Sequence, residues 1–462
     1  MPKKAKRKQN KGFEFPKGLS EDVIRKISQI KEEPDWMLEM RLEAYKVFLE
    51  KPMPTWGPDL SDIDFNDIKY YATAGDRTHT WDEVPGDIRQ TFDDLGIPEH
   101  EKKFLAGVST QYESEIIYHN LQERYQDSGL VFESIDEGLH KYPTLYKEYF
   151  GKLIPHDDNK FAALNSAVWS GGSFIYVPKG VKIAIPVETY FRINTENMGQ
   201  FERTLIIADE DSEVHYIEGC TAPQYSTNSL HAAVVELFAA KNAHIKYTTI
   251  QNWSKNVYNL VTKRGKAQEG ARIEWLDVNI GSKVTMKYPS VILEGDNSRG
   301  EVLSMALADS GQDLDTGAKM IHLGKNTSSI IDSRTVSVGS GKATYRGISR
   351  ITSRAASARA VVNCDGLLID EESKSYAYPH NIVSNDSSTL EHEASVSKVN
   401  QEQVNYLMSR GIPAEEAQQL IVTGYVDPVI DELPLEYSVE LERLLQIILN
   451  REGKGHQKTA AN

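Results

Sequence analysis

Cys220 and Cys364 are the only two cysteines in a chain of 462 residues. Two thiols cannot build a disulfide framework, and they cannot close a four-cysteine zinc or iron–sulfur site from this chain alone. In a reducing compartment both stay free. A free thiolate attacks sulfur and ligates iron, whereas a protonated thiol packs as a small apolar group. A second cluster is Glu391, His392 and Glu393. On a strand, the two carboxylates share one face and His392 takes the other. Cys364 precedes His392 by 28 residues. A fold that stacks segments at that interval would bring thiol, imidazole and carboxylate, all iron ligands, to one place. The third group is Gln251 and Trp253 with Thr262, Lys263 and Arg264. A cation turned inward is costly to bury unpaired but lowers the pKa of a nearby sulfur and holds a persulfide anion; turned outward it is merely solvated. Gly339–Lys342 looks like a phosphate loop but fails the pattern, since Ala343 replaces the magnesium-binding hydroxyl and Val336 the first glycine. ATP hydrolysis by that mechanism is not expected.

Those residues need elements to position them. Short runs in which Val, Ile, Thr and Tyr alternate with polar residues fill 155–398. Their central apolar positions, Val214, Ile245, Ile273, Val302 and Ile330, are spaced by 31, 28, 29 and 28 residues. Asp211, Asn242, Gly270, Gly300 and Asn326 are the turn formers before them. Alternation inside a steady repeat predicts a mainly β chain with a β-helix core, each repeat giving one or two rungs. An antiparallel β-sandwich would also give short strands, without requiring the period. The flanks read as helical. In 13–154, Asp35–Leu49 carries an apolar stripe, Ser114–Tyr125 and Ile135–Leu153 read the same way, and Pro52–Asp64 is a linker. In 399–450, Asn400–Arg410 stops at Gly411 and Pro413–Val422 follows. Gly424 and Pro428 interrupt before Val429–Leu433, and Leu435–Leu449 closes the region. The basic segment 1–12 and the polar segment 451–462 are expected to be flexible tails. Helices on both sides would cover strand edges that otherwise invite aggregation.

Net charge is −15, which disfavours nucleic acid as the main partner. The exception is local: six cations fall between Lys3 and Lys11. No apolar run approaches the roughly 20 residues of a membrane span, and no apolar segment follows the basic start, so a cytoplasmic location is expected. Asp309, Asp313 and Asp315 could serve a β-helix carbohydrate-active enzyme, but nothing pairs them as acid and base.

Longer strings carry a resemblance. Val168–Gly180, Tyr190–Asn194, Asn197–Thr204, Glu218–Pro223, Tyr288–Pro289, Asn326–Ser329, His392–Lys398 and Tyr406–Gly411 closely resemble the SufB/SufD family of iron–sulfur cluster assembly proteins. Gln251–Trp253 and Thr262–Arg264 look like its SufB branch rather than SufD. The resemblance implies a right-handed parallel β-helix flanked by helical regions. The role it implies is a non-enzymatic scaffold for a transient [2Fe-2S] or [4Fe-4S] cluster. Its expected partners are the ATPase SufC, SufD or a second SufB, a sulfur donor of SufU or SufE type, and recipient apo-proteins. It matches Cys364 to the cluster-assembly cysteine, Glu393 to its partner carboxylate, with His392 beside it, and Cys220 to the sulfur acceptor. Arg192, Asn194, Gln251, Trp253 and Lys263 match positions on an internal sulfur route, and 400–433 matches the surface that docks SufC. A SufD-like subunit without its own cluster is the alternative. A reduced flavin accompanies some family complexes, though no flavin motif occurs here.

Overall fold

The structure, a computed structural model, describes residues 13–73, 107–112, 115–121, 125, 127–192, 197–221 and 228–459. It is mainly β: parallel strands wind as a solenoid between N- and C-terminal helices. One sheet stacks Val187–Arg192, Glu213–Thr221, His244–Trp253, Arg272–Gly281, Arg299–Ala308, Ser328–Ser337, Arg359–Leu368 and Thr389–Lys398 in parallel. The second is built on Arg203–Ala208, Val234–Ala239, Val257–Ala267, Ser290–Leu293, Lys319–His322, Lys342–Ile351 and Lys374–Val383. Both contribute to one core, in which Val214, Tyr216 and Ile245 meet Val235, Leu237 and Val291.

The turns repeat because one residue in each adopts a left-handed backbone. Asp211 (φ 57°), Asn242 (φ 56°), Gly270 (φ 66°), Asn297 (φ 62°) and Asn326 (φ 53°) hold this position in successive rungs. Asn, Asp and Gly tolerate it best, and Asn242 Nδ2 also donates to Asp211 Oδ1 at 2.9 Å. Asn297, not Gly300, makes the fourth turn; Gly300 lies inside a strand.

The expected series of stacked apolar residues holds at its start and then slips. Val214, Ile245 and Ile273 are register partners, but Ile273 pairs with Gly300, and Val302 stacks on Trp275. Ile330 pairs with Glu301 and is 48% exposed; its neighbour Ile331 faces the core. A one-residue difference in repeat length moves a strand residue to the opposite face, which a spacing averaged over repeats cannot detect.

The helical flanks need four corrections. Asp35–Glu50 is a helix as expected, but 115–121 is a strand paired antiparallel with Gly107–Tyr112. Ile116, Ile117 and Tyr118 are residues that favour a pleated surface, and the sheet edge takes them. Ile135–Lys141 and Pro143–Tyr149 are separate helices, because the residue before a proline resists helical geometry. Ala414–Ile430, by contrast, is one helix through Gly424 and Pro428. Pro428 sits in its last turn, and the carbonyl its ring would crowd belongs to Gly424, which has no side chain. The last helix, Leu435–Thr459, runs past the expected end at Leu449. Among the described residues no helix is long and apolar enough to cross a membrane.

The N-terminal segment is anchored by Glu236. This buried carboxylate accepts from the backbone N–H groups of Gly151, Leu153 and Ile154 and from Arg203 Nη2 at 2.8 Å. Neither Arg203 nor Glu236 is exposed by more than 1%. Removing one partner leaves the other charge buried, so Glu236→Ala is expected to lower unfolding stability by about 3–5 kcal/mol. Denaturant titration against the parent chain checks this; a change below about 1 kcal/mol would show that the pair is not an anchor.

Candidate functional site

Alternation sends every second residue of a strand inward, and parallel stacking lines those residues up from rung to rung. Three inward columns result. The first runs Tyr216, Tyr247, Trp275, Val302, Ile331, Val362, His392. The second runs Glu218, Thr249, Asp277, Ser304, Ser333, Cys364, all buried. The third runs Cys220, Gln251, Asn279, Ala306, Thr335, Gly366. Cys220 and Cys364 therefore lie in adjacent columns, five rungs apart, or about 24 Å at the usual strand spacing.

The start of the second column is ionic. Glu218 accepts from Tyr247 Oη and lies 3.8 Å from both Cys220 Sγ and Lys263 Nζ. Lys263 comes from the facing sheet, donates to Thr249, and stands 4.8 Å from the centre of the Tyr247 ring. Asp277 is 3.6 Å from Lys263 and 3.0 Å from Lys287, and Lys287 donates to Gln251 Oε1 at 2.7 Å. Asn259 donates to the same oxygen at 2.8 Å and passes the chain to His231 and Glu202. Burial pulls Lys287 down to about 8, against the pull of Asp277. Burial would raise Asp277, but Lys287 and Lys263 overcome it and hold the carboxyl below its ordinary value.

Cys220 is 1% exposed. Burial, then Glu218 and Glu202, push its thiol well above the ordinary value, with Lys263 and Lys287 opposing. At rest it is a protonated thiol. Beside it a cleft of about 10 Å³ lies under Tyr437, Glu440, Leu441 and Leu444 of the last helix. Such a volume admits no more than about one water.

The end of the column differs. Cys364, 4% exposed, stands one rung from the last strand, and its Sγ is 3.2 Å from His392 Nε2. Burial, then Asp365, push this thiol up to about 11. Burial lowers His392. Asn381 Nδ2 lies 2.8 Å from His392 Nδ1. With that amide donating, the neutral ring carries its proton on Nε2 and donates to sulfur; turning the amide over frees Nε2 as a metal ligand.

The structure thus brings His392 to Cys364. Glu393 is exposed, alternation sends its side chain to the other face of its strand, and its backbone carbonyl, not its carboxylate, lies 3.6 Å from Cys364 Sγ. Gln251, Trp253 and Lys263 are buried inside the solenoid, Trp253 packing with Cys220 and Phe191. Arg192 ends its strand; its side chain and all of Asn194 lie outside the described residues. Among the described residues no three His, Cys, Asp or Glu side chains form a metal-holding group. Glu218, Asp277, Lys287 and Asn381 were not singled out as chemical groups from sequence. For Glu218 and Asp277 the signal existed: continuing the alternation from Val214 and Tyr216, or from Ile273 and Trp275, puts both inward.

Most of the chain is similar to known proteins. The family model for the SUF-system iron–sulfur cluster assembly SufBD core domain matches residues 191–425, and that for the SufBD N-terminal region matches 82–189. An iron–sulfur cluster assembly SufBD family protein of Staphylococcus haemolyticus is 56% identical over 435 residues, covering 94% of each chain. The iron–sulfur cluster assembly protein SufB of Bacillus subtilis is equally similar, 56% over 435 residues and 94% of each chain.

Because only thiolate alkylates, labelling of Cys364 in the native chain is expected to rise about tenfold per pH unit and to reach no plateau before about pH 11. Cys220 should label more slowly still. Mass-spectrometric alkylation rates check both, and a plateau near pH 8.5 would mean the thiol is not buried as described.

Proposed function

The chain belongs to the SufBD family of SUF-system iron–sulfur cluster assembly proteins, and from that premise we propose that it is a scaffold subunit that accepts sulfur at Cys220 and builds a nascent cluster at Cys364. The cluster is cargo, of two irons or four. The observation that carries the reading is the contact between Cys364 and His392, one on the next-to-last strand and one on the last, where the solenoid ends in open strand edges.

The first step is thiolate attack by Cys220 on the outer sulfur of a donor persulfide. The donor S–S bond breaks, the donor thiolate leaves, and Cys220 carries the new persulfide. Resting Cys220 is buried and protonated, so a donor of SufU or SufE type must open access and take up the proton. Lys263 then faces the added negative charge. Turning sulfane sulfur into sulfide needs two electrons from outside the chain; a reduced flavin is the class of donor the resemblance suggests. Iron is held by Cys364 and His392. Glu393, on the outer face of the same strand, joins where a partner brings iron around the edge.

That partner is SufD or a second copy of this chain. Tyr376, Tyr378, Val383 and Val396 are exposed on the two terminal strands, which supports an interface there. Tyr406, Met408 and Leu420 are exposed on the helices beyond, and this apolar surface is the proposed seat of the ATPase SufC. Burial of both thiols would also suit a structural subunit without a cluster. The buried ionic chain favours the scaffold, since packing alone has no use for it.

Anaerobic reconstitution with iron and sulfide, read by visible absorption, tests the reading. Cys364→Ala should give no cluster bands and His392→Ala a severalfold lower yield. Normal yield from Cys364→Ala would overturn the scaffold role. Cys220→Ala should lose protein-delivered sulfur while keeping most of its yield with free sulfide, and equal loss by both routes would remove Cys220 from the route.

A further inference from the structure

The proline-rich segment after the helix Asp35–Glu50 borders a cavity of about 430 Å³ on the outer face of the second sheet. Alternation sets its floor: Lys263 and Met320 are buried inward, so their neighbours Arg264 and Lys319 turn out into the cavity. Lys51, Lys160, Arg264 and Lys319 line it against one carboxylate, Asp158, in a chain whose net charge is −15. Two of these cations are engaged. Lys160 Nζ donates to the carbonyls of Phe48 and Lys51 at 2.7 and 2.6 Å. Arg264 Nη1 donates to the Leu153 carbonyl and to Asp158 Oδ1 at 2.7 and 2.8 Å. The other two are not: among the described residues neither the Lys51 nor the Lys319 ammonium group has a hydrogen-bond acceptor or an ion-pair partner. Lys319 Nζ stands 5.4 Å from the centre of the Tyr288 ring. Burial, then Arg264, pull Lys319 below its ordinary pKa, with Asp158 opposing. A partly desolvated cation without a counter-charge is destabilising unless an anion joins it.

The remaining wall is aromatic and braced. Trp56 and Tyr288 stand 5.8 Å apart, centre to centre, with their planes at 46°. Tyr288 Oη donates to Asp315 Oδ1 at 2.9 Å, and Arg346 pairs with the same carboxylate at 2.8 Å. The Arg346 guanidinium in turn lies 5.2 Å from the centre of the Trp56 ring. Trp56 is therefore held from behind although it is 48% exposed.

We propose that this cavity is a binding site for a mononucleotide, with its phosphate on Lys51 and Lys319 and its base on Trp56. A phosphate monoester carries a charge of about −1.5 to −2 at neutral pH, enough to balance two ammonium groups. Every base has a π-face that stacks on an aromatic ring. Inorganic phosphate would leave the rings uncovered, and an uncharged ring would leave the ammonium groups unbalanced. The volume lies within the range of small-molecule sites, roughly 300–1,000 Å³. The cavity is on the opposite face of the sheet from the buried ionic chain, and the inference does not depend on sulfur or iron chemistry.

The test is calorimetric titration of the full chain at low salt with AMP, GMP, CMP and UMP, and with adenosine and inorganic phosphate as the two halves. Saturable binding of at least one mononucleotide is expected, at least tenfold tighter than either half. Lys319→Met should weaken it at least tenfold, and Lys319→Arg, which keeps the charge, should stay within about threefold of the parent chain. Trp56→Ala should lower mononucleotide affinity toward that of inorganic phosphate. Absence of saturable binding by all four mononucleotides, phosphate binding as tightly as they do, or unchanged affinity in Lys319→Met would each overturn the proposal. Cluster yield in Cys364→Ala is a separate readout: its failure would undo the scaffold role and leave this titration standing, and the reverse also holds.

Discussion

Parallel stacking in fixed register is the constraint on which everything else in this protein depends. Strands of the cysteine-bearing sheet bond their parallel neighbours along six to ten residues, as Arg299–Ala308 does on Ser328–Ser337. The backbone bonds leave no freedom to shift by one residue without exchanging the inward and outward faces. An inward side chain therefore has its neighbours above and below chosen for it. Apolar residues make a core this way, as Val302, Ile331 and Val362 do. Polar residues make a continuous line, in which buried groups meet partners on the next rung, as Tyr247 meets Glu218 and Ser304 meets Ser333.

That line is what separates this interior from ordinary packing. Glu218, Lys263, Asp277 and Lys287 are each satisfied by a charge of the other sign. The cluster is stable as a set and sensitive to a change in any member, because the low dielectric inside the solenoid magnifies each uncompensated charge. Cys220, beside Glu218, is kept protonated by the same electrostatics that would welcome a balancing cation or the loss of a carboxylate's charge. The proposed acceptance of sulfur at Cys220 therefore requires that its environment change when a donor arrives.

The solenoid is covered unevenly along its length. C-terminal helices lay Val422, Val426 and Val429 on Leu276, Val278 and Ile280, sealing the outer face of one sheet near its middle. The terminal strands Lys374–Val383 and Thr389–Lys398 are left mostly exposed on both faces. A long open edge is an aggregation liability in an isolated protein. Here the edge also carries His392, with Cys364 one strand in, so whatever covers the edge also closes over both side chains.

Residue types and local periodicity, taken alone, determined that the chain is mainly β, that strands of 155–398 repeat, that helices flank them, and that two thiols and an adjacent histidine–glutamate group are the chemical candidates. These follow from interactions between residues close in sequence: alternation, turn formers, caps. Composition ruled out a closed four-cysteine site for the same elementary reason, too few ligands. Only the tertiary structure decided which residues meet. The slip at Val302, the outward turn of Ile330 and the strand at 115–121 all depend on partners far along the chain. So does the choice of His392 over the Glu393 carboxylate as neighbour of Cys364, since one step along a strand reverses the face. Lys287 and Asp277 became a pair because residues on facing sheets converge in a dry interior, and no spacing in the sequence records how far apart two facing sheets will stand.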